Sequence, residues 1–272
     1  MAKHRTSQIS GRRKIEVDDV ESAGAARTAP PRCEVLFADE ACCVVNKPAG
    51  MFVQGGLFDE PSVVEHLANE LSADEETFVP AYPLDMDVSG VLLLARTEAA
   101  AETFAEQFTA RTLTVTYHAI VRGILLHDSG TFDNLLTSPK SGKVKVVAEH
   151  GARAITEWKV LDSFIGFALL ECIPRTRVEQ QIRAQLHHAE IPLAVDLVHG
   201  GADHLMLSSF KAGYRPSRRH KERPLIRRPS LHAATLAFEH PRSGETLGFE
   251  APPPKDFRAT LHQLARFGRI SR

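Results

Sequence analysis

The chain has 272 residues, 43% of them hydrophobic and 25% charged, with a net charge of −1. This is ordinary globular composition, enough for one large domain or two small ones, and the charge gives no global sign of a nucleic-acid partner. No apolar stretch approaches the length of a membrane span, and the N-terminus lacks the apolar segment of a secretory signal.

Residues 1–30 mix Lys, Arg, Ser, Gly, Ala and Pro without apolar periodicity and read as a flexible tail that includes the basic cluster Arg12-Arg13-Lys14. Residues 31–272 are then expected to form the folded unit. Glu34-Val35-Leu36-Phe37 and Cys42-Cys43-Val44-Val45-Asn46 predict two short strands around a turn at Asp39-Glu40, and Lys47-Pro48-Ala49-Gly50 breaks the chain. The adjacent Cys42 and Cys43 would point to opposite faces of their strand, and neither they nor Cys33 and Cys172 show CxxC spacing. All four read as buried thiols of a reducing compartment, so a cytoplasmic location is expected.

Ser62-Val63-Val64-Glu65 is a capping box that opens a helix with Val63, Val64, Leu67 and Leu71 on one face. Thr97 can cap a second helix that buries Phe104 and Phe108. Strands are predicted over residues 113–121, 154–160 and 167–173, a helix over 178–189, and a hairpin from 231–238 to 246–249 across His240-Pro241-Arg242-Ser243-Gly244-Glu245. Strands and isolated helices mix without a repeating βαβ unit, which predicts an α+β fold on a mainly antiparallel sheet.

The most informative window is Leu84-Asp85-Met86-Asp87-Val88-Ser89-Gly90, directly before the apolar run Val91-Leu92-Leu93-Leu94-Ala95. A carboxylate on a tight turn that leads into a buried strand is held rigidly and aimed outward, as a nucleophile or general base requires. Ordinary turn chemistry, with the aspartate bonding nearby amides, is the commoner explanation of such a window taken alone. Charge is also uneven. Residues 208–230 carry Lys211, Arg215, Arg218, Arg219, Lys221, Arg223, Arg227 and Arg228 against Glu222 alone, either a solvated loop or a phosphate-binding segment. The histidines do not support a metal site: His187 and His188 are adjacent, and His199 and His204 lack a partner at typical ligand spacing.

Together these segments resemble an RluA-type pseudouridine synthase over nearly all of residues 33–258. Val44-Val45-Asn46-Lys47-Pro48-Ala49-Gly50 is similar to the family's opening strand pair, and residues 82–95 to its H-R-L-D-x-x-T-S-G motif and following strand. Residues 114–123 are similar to its K-x-Y-x-A-x-V-x-G strand, with the lysine absent. Gln180-Gln181-Ile182-Arg183 and Glu190-Ile191-Pro192-Leu193-Ala194-Val195-Asp196 resemble its H-Q-I-R and G-H-P-I-x-G-D segments. Leu231-His232-Ala233, Phe238-Glu239-His240-Pro241, Ser243-Gly244-Glu245 and Ala251-Pro252-Pro253-Pro254-Lys255-Asp256-Phe257 follow in family order.

The resemblance implies a pseudouridine synthase fold, a mainly antiparallel mixed sheet with flanking helices and a central catalytic cleft. It also implies isomerisation of uridine to pseudouridine in ribosomal or transfer RNA, without metal or redox cofactor, by a monomer that needs no membrane. Asp85 would be the catalytic carboxylate, Arg183 its pairing partner, and Tyr117 the ring that stacks on the flipped base. RNA contacts are expected from Tyr82, Lys47, Arg218, Arg219, Arg227 and Arg228. Arg183 is expected to face a cleft, away from the Ile182 and Leu186 stripe of its helix, and Asp87 to serve the turn.

The chain departs from the pattern around the acid. Tyr82-Pro83 stands for the family's His-Arg, whose arginine helps occupy the space left by the flipped uridine; proline has neither charge nor donor. Val88 replaces a threonine, Glu179 and Gln180 replace Thr and His, and Arg177 matches the earlier arginine only with one residue inserted. A catalytically impaired RNA-binding paralogue is therefore the alternative to an active isomerase.

Overall fold

A computed structural model describes residues 32–55, 62–123, 125–137, 143–217, 221–268 and 270. The expected N-terminal tail, and Arg218 and Arg219 of the basic segment, lie outside the described residues. β1 (Glu34–Ala38) and β2 (Cys42–Lys47) pair antiparallel around Asp39, whose Oδ1 accepts from the amides of Ala41 and Cys42, each at 2.8 Å. α1 (Val63–Leu71) begins at Ser62, whose hydroxyl accepts from the Glu65 amide at 3.1 Å. The two-residue β3 (Val79–Pro80) and β4 (Ser89–Ala95) flank the segment that carries Asp85. All seven residues of β4 are buried, which is why its sequence shows no polar alternation.

α2 (Glu98–Ala110) is capped by Thr97 and buries Phe104, whose ring meets Phe238 edge-on at 5.4 Å. β5 (Thr114–Arg122) buries Val115, Tyr117, Ala119 and Val121 on one face, as its alternation predicts. β6 (Ser129–Thr137), β7 (Lys145–Val147), β8 (Ala152–Phe164) and β9 (Phe167–Pro174) follow as an antiparallel series. α3 (Gln181–His188) precedes the hairpin of β10 (Leu231–Glu239) and β11 (Thr246–Glu250), and α4 (Lys255–Gly268) closes the described fold.

The strands form one sheet in the order β1-β2-β4-β10-β5-β9-β8-β6-β7, with β11 on β10 and β3 on β4. Every named pairing is antiparallel except β10 with β4. The expected α+β fold with a mainly antiparallel sheet is therefore observed. Three expectations need correction. No strand was expected over 129–147, yet β6 and β7 are there; β6 mixes polar residues with few apolar ones, and β7 is only three residues long, so neither carries a strong strand signal. No helix was expected after Pro254, although Phe257, Thr260 and Leu264 give α4 a buried stripe. α3 starts at Gln181 and not at Val178, because the Gln181 side chain accepts from the Val178 amide and the Thr176 hydroxyl, at 3.0 and 2.9 Å, and holds its own approach non-helical.

The parallel pairing of β10 with β4 matters most for the site. Gly90 of β4 lies beside Ala233 of β10 with φ +124, and a Cβ there would stand 2.1 Å from the Ala233 carbonyl oxygen. Gly90→Ala should therefore lose about 3 kcal/mol or more of unfolding free energy, while Gly248→Ala, with nothing within 4 Å of the added atom, should change it far less. Urea denaturation of the two variants checks this.

Candidate active site

The segment between β3 and β4 runs over the end of the sheet and is held at several points. The Val88 amide donates to the Asp85 carbonyl at 3.1 Å, closing the turn, and the Gly50 amide donates to the Met86 carbonyl at 3.0 Å. Lys47, fully buried, donates from Nζ to the carbonyls of Met86, Met51 and Pro48 at 2.7, 2.9 and 3.1 Å. Burial pushes its pKa down to about 7, against the pull of the nearby Asp85 charge. This corrects the expectation of an RNA contact from Lys47, because its ammonium faces the protein and ties the Asp85 turn to the end of β2.

Asp85 reaches Arg183 across the fold. Nη1 of Arg183 donates to Asp85 Oδ2 at 2.7 Å, while Nε and Nη2 donate to Asp196 Oδ2 and Oδ1 at 2.7 and 2.8 Å. The guanidinium thus bridges two carboxylates, one of them in the fork geometry for which arginine is suited. Asp196 is fully buried, and its Oδ1 also accepts from the amides of Val198 and His199. Burial alone would raise the Asp196 carboxyl; the Arg183 bonds and charge outweigh it and hold the group below the usual range. Burial likewise opposes the Arg183 charge, and the two aspartates outweigh it and raise that pKa.

The expected pairing geometry of Asp85 and Arg183 is present, but its helix differs from the expectation. Residues 181–186 of α3 are all buried, so Arg183 does not project from a polar face. Its polar neighbours are satisfied internally: Gln185 accepts from Thr156 Oγ1 at 2.7 Å and donates to the Ala154 carbonyl at 2.9 Å. Asp196 went unassigned in the sequence, although a lone acid directly after Leu193-Ala194-Val195 signals a carboxylate that must find a buried partner.

Tyr117, Tyr82, Asp85, Arg177 and Arg183 all line one pocket, which opens into a broader cleft bordered by Phe52, Asp87, Glu179 and Val198. Burial, then the Asp85 charge, pushes the Tyr117 phenol above its ordinary range, so it stays protonated at neutral pH. Tyr82 is only 4% exposed and donates to the Val91 carbonyl at 2.9 Å. It is a fixed wall of the pocket and not the free stacking group expected on RNA. Arg228, expected at the RNA, donates from Nε and Nη2 to Asp256 at 2.8 and 3.0 Å, which ties the basic segment to α4. Arg227 is exposed.

The sequence also missed two histidine contacts. Buried His232 stands between the Ser89 hydroxyl at 3.0 Å and the Ala251 carbonyl at 2.9 Å, which makes it neutral, protonated at Nε2 and accepting at Nδ1. At the β1–β2 turn, Asp39, Cys42 and His240 come within reach of one another, but Asp39 Oδ2 already accepts from His240 Nε2 at 2.8 Å, a contact that pins the turn to the β10–β11 hairpin.

This geometry defines a class of protein: a mixed-sheet enzyme with an arginine-held aspartate in a pocket that a tyrosine also lines. The profile of the RNA pseudouridylate synthase family matches residues 41–188, a span that includes Asp85, Tyr117 and Arg183. An uncharacterised RNA pseudouridine synthase, YlyB, of Bacillus subtilis is 30% identical over 249 residues, covering 88% of this chain and 75% of that protein. Ribosomal large subunit pseudouridine synthase D of Neisseria meningitidis serogroup B is 32% identical over 242 residues, covering 86% of this chain and 62% of that protein. Among solved structures, human RNA pseudouridylate synthase domain containing 4 shares the fold at TM-score 0.58 and 23% identity, covering 85% of this chain and 92% of that chain. The chain belongs to the RNA pseudouridylate synthase family, whose members isomerise uridine in RNA.

Two predictions follow from the buried polar groups. Asp196→Asn removes a charge from the fork and leaves Arg183 short of an acceptor, so unfolding free energy should fall by about 3 kcal/mol in denaturant titrations, as for a broken buried pair. Burial drops the His232 pKa to about 4, from an ordinary 6.5, so the unfolded chain takes up this proton first as pH falls. The His232 contribution is complete above pH 6.5 and is lost on acidification toward pH 4. His232→Gln should flatten the stability–pH slope in that window by about one proton, and equal slopes in urea titrations would contradict the assignment.

Proposed function

We propose that this protein converts a uridine of large-subunit ribosomal RNA to pseudouridine, with Asp85 as the catalytic carboxylate. The carrying observation is the Asp85–Arg183 contact at 2.7 Å inside a pocket that Tyr117 also lines. The choice of RNA is supported by the ribosomal names of several relatives. Four free, buried thiols fit action in the reducing cytoplasm.

In the reaction the uridine leaves its stack and its base enters the pocket. The N1–C1′ bond breaks, the base turns while still held, and C5 bonds to C1′; the C5 proton then leaves and N1 gains one. Asp85 stabilises the positive charge at C1′, and Arg183 holds that carboxylate so that it need not reorganise. Tyr117, protonated at neutral pH, packs on the base and donates a hydrogen bond. Tyr82 supplies a further wall of the pocket, so the Tyr82-Pro83 pair lines the base site without adding a guanidinium of its own.

Expression in cells lacking their own family members, followed by pseudouridine mapping of ribosomal and transfer RNA, tests this. One new site is expected, and Asp85→Asn should slow its formation roughly a thousandfold or more. RNA binding with no new pseudouridine in any RNA would sink the enzyme and favour the RNA-binding paralogue.

A further inference from the structure

The cleft around Asp85 is poorly suited to a polyanion by its charges alone. Asp85, Asp87 and Glu179 line it against Arg177 and Arg183. RNA brings phosphates on both sides of the target nucleotide, and their contacts set its register. Arg183 is poorly placed to serve them: its side chain is 8% exposed, and Nε, Nη1 and Nη2 each donate to Asp85 or Asp196. Pro83, on the same rim, has no donor.

Arg177 is different. It is exposed, and no carboxylate among the described residues pairs with it, whereas Arg175, two residues earlier, is held by Glu157 at 2.7 Å. Its guanidinium is nevertheless fixed. Nη1 donates to the Ala81 carbonyl at 3.1 Å, and the group lies over the Phe108 ring, 5.6 Å from its centroid. Nε and the remaining N–H groups are left for a ligand, on a side chain that has little ordering still to lose.

We infer that Arg177 binds a phosphate of the substrate strand next to the target uridine, in the cleft that also holds Asp85. Through Ala81, the same guanidinium steadies the segment leading to Asp85, so strand binding and acid position share one side chain. The assignment rests on the RNA-isomerase reading of this cleft.

Equilibrium binding of a single-stranded oligouridylate, from low to physiological salt, tests it, with thermal unfolding as the check on folding. Arg177→Gln should bind about tenfold more weakly, with a salt dependence shallower by about 0.7 in the log–log slope, the value for one phosphate on a single strand. Arg177→Lys keeps a point charge without the fork, so it should keep the slope and part of the affinity. Wild-type affinity and slope in Arg177→Gln would overturn the assignment. So would an Arg177→Lys protein that loses the slope, since only the tie to Ala81 would then remain. Isomerisation is read separately: oligouridylate binding that depends on Arg177, with no pseudouridine in any RNA, would support the phosphate site and sink the enzyme.

Discussion

One buried guanidinium organises this protein. Arg183 sits between Asp85, on the segment before β4, and Asp196, on the chain after α3, and each contact is shorter than 3 Å. Isolated, any of the three charges would be costly to bury; as a triad, with two backbone amides also on Asp196, each charge has an opposite partner within hydrogen-bond distance. The triad leaves an excess of one negative charge, and Asp85, the more exposed carboxylate, is the end that faces the cleft. A group held this way meets its substrate already oriented, and that preorganisation is what electrostatic catalysis requires.

The rest of the core serves to keep that triad in register. α3 can carry a buried arginine because its other polar side chains are satisfied on β8, through Gln181 to Thr156 and Gln185 to Thr156 and Ala154. The Asp85 segment is fastened on its β2 side by Lys47 and Gly50, and at its exit by Ser89 on His232. Gly90 then lets β4 approach β10 more closely than any side chain permits. Rigidity at Asp85 is thus distributed over contacts from β2, α3 and β10, and it depends on cationic and polar groups that are largely buried.

Charge on this protein divides the same way. Basic residues that look alike in the sequence fall into internal ties, such as Lys47, Arg183 and Arg228, and outward-facing groups, such as Arg177 and Arg227. A near-neutral chain can therefore serve an anionic polymer through a few placed cations, without a large positive field.

Much of this was legible in one dimension. Local patterns determined the helix caps at Ser62 and Thr97, the apolar run of β4, the alternation of β5 and the closing hairpin, because capping, burial and turn chemistry act between near neighbours. The order of the motifs indicated the family and nominated Asp85, Tyr117 and Arg183. What stayed hidden were facts of distant contact. The mixed β6 and the three-residue β7 acquire strand structure by pairing with β8 and each other, and Asp196 acquires its meaning only when Arg183, 13 residues away in sequence, turns to meet it. Whether Lys47 faces RNA or three carbonyls, and whether Tyr82 is a free ring or a wall, depends on which surfaces the sheet covers. Sequence determines what each side chain can do; the tertiary fold decides which of those options is left once burial has forced every charge and donor to find a partner.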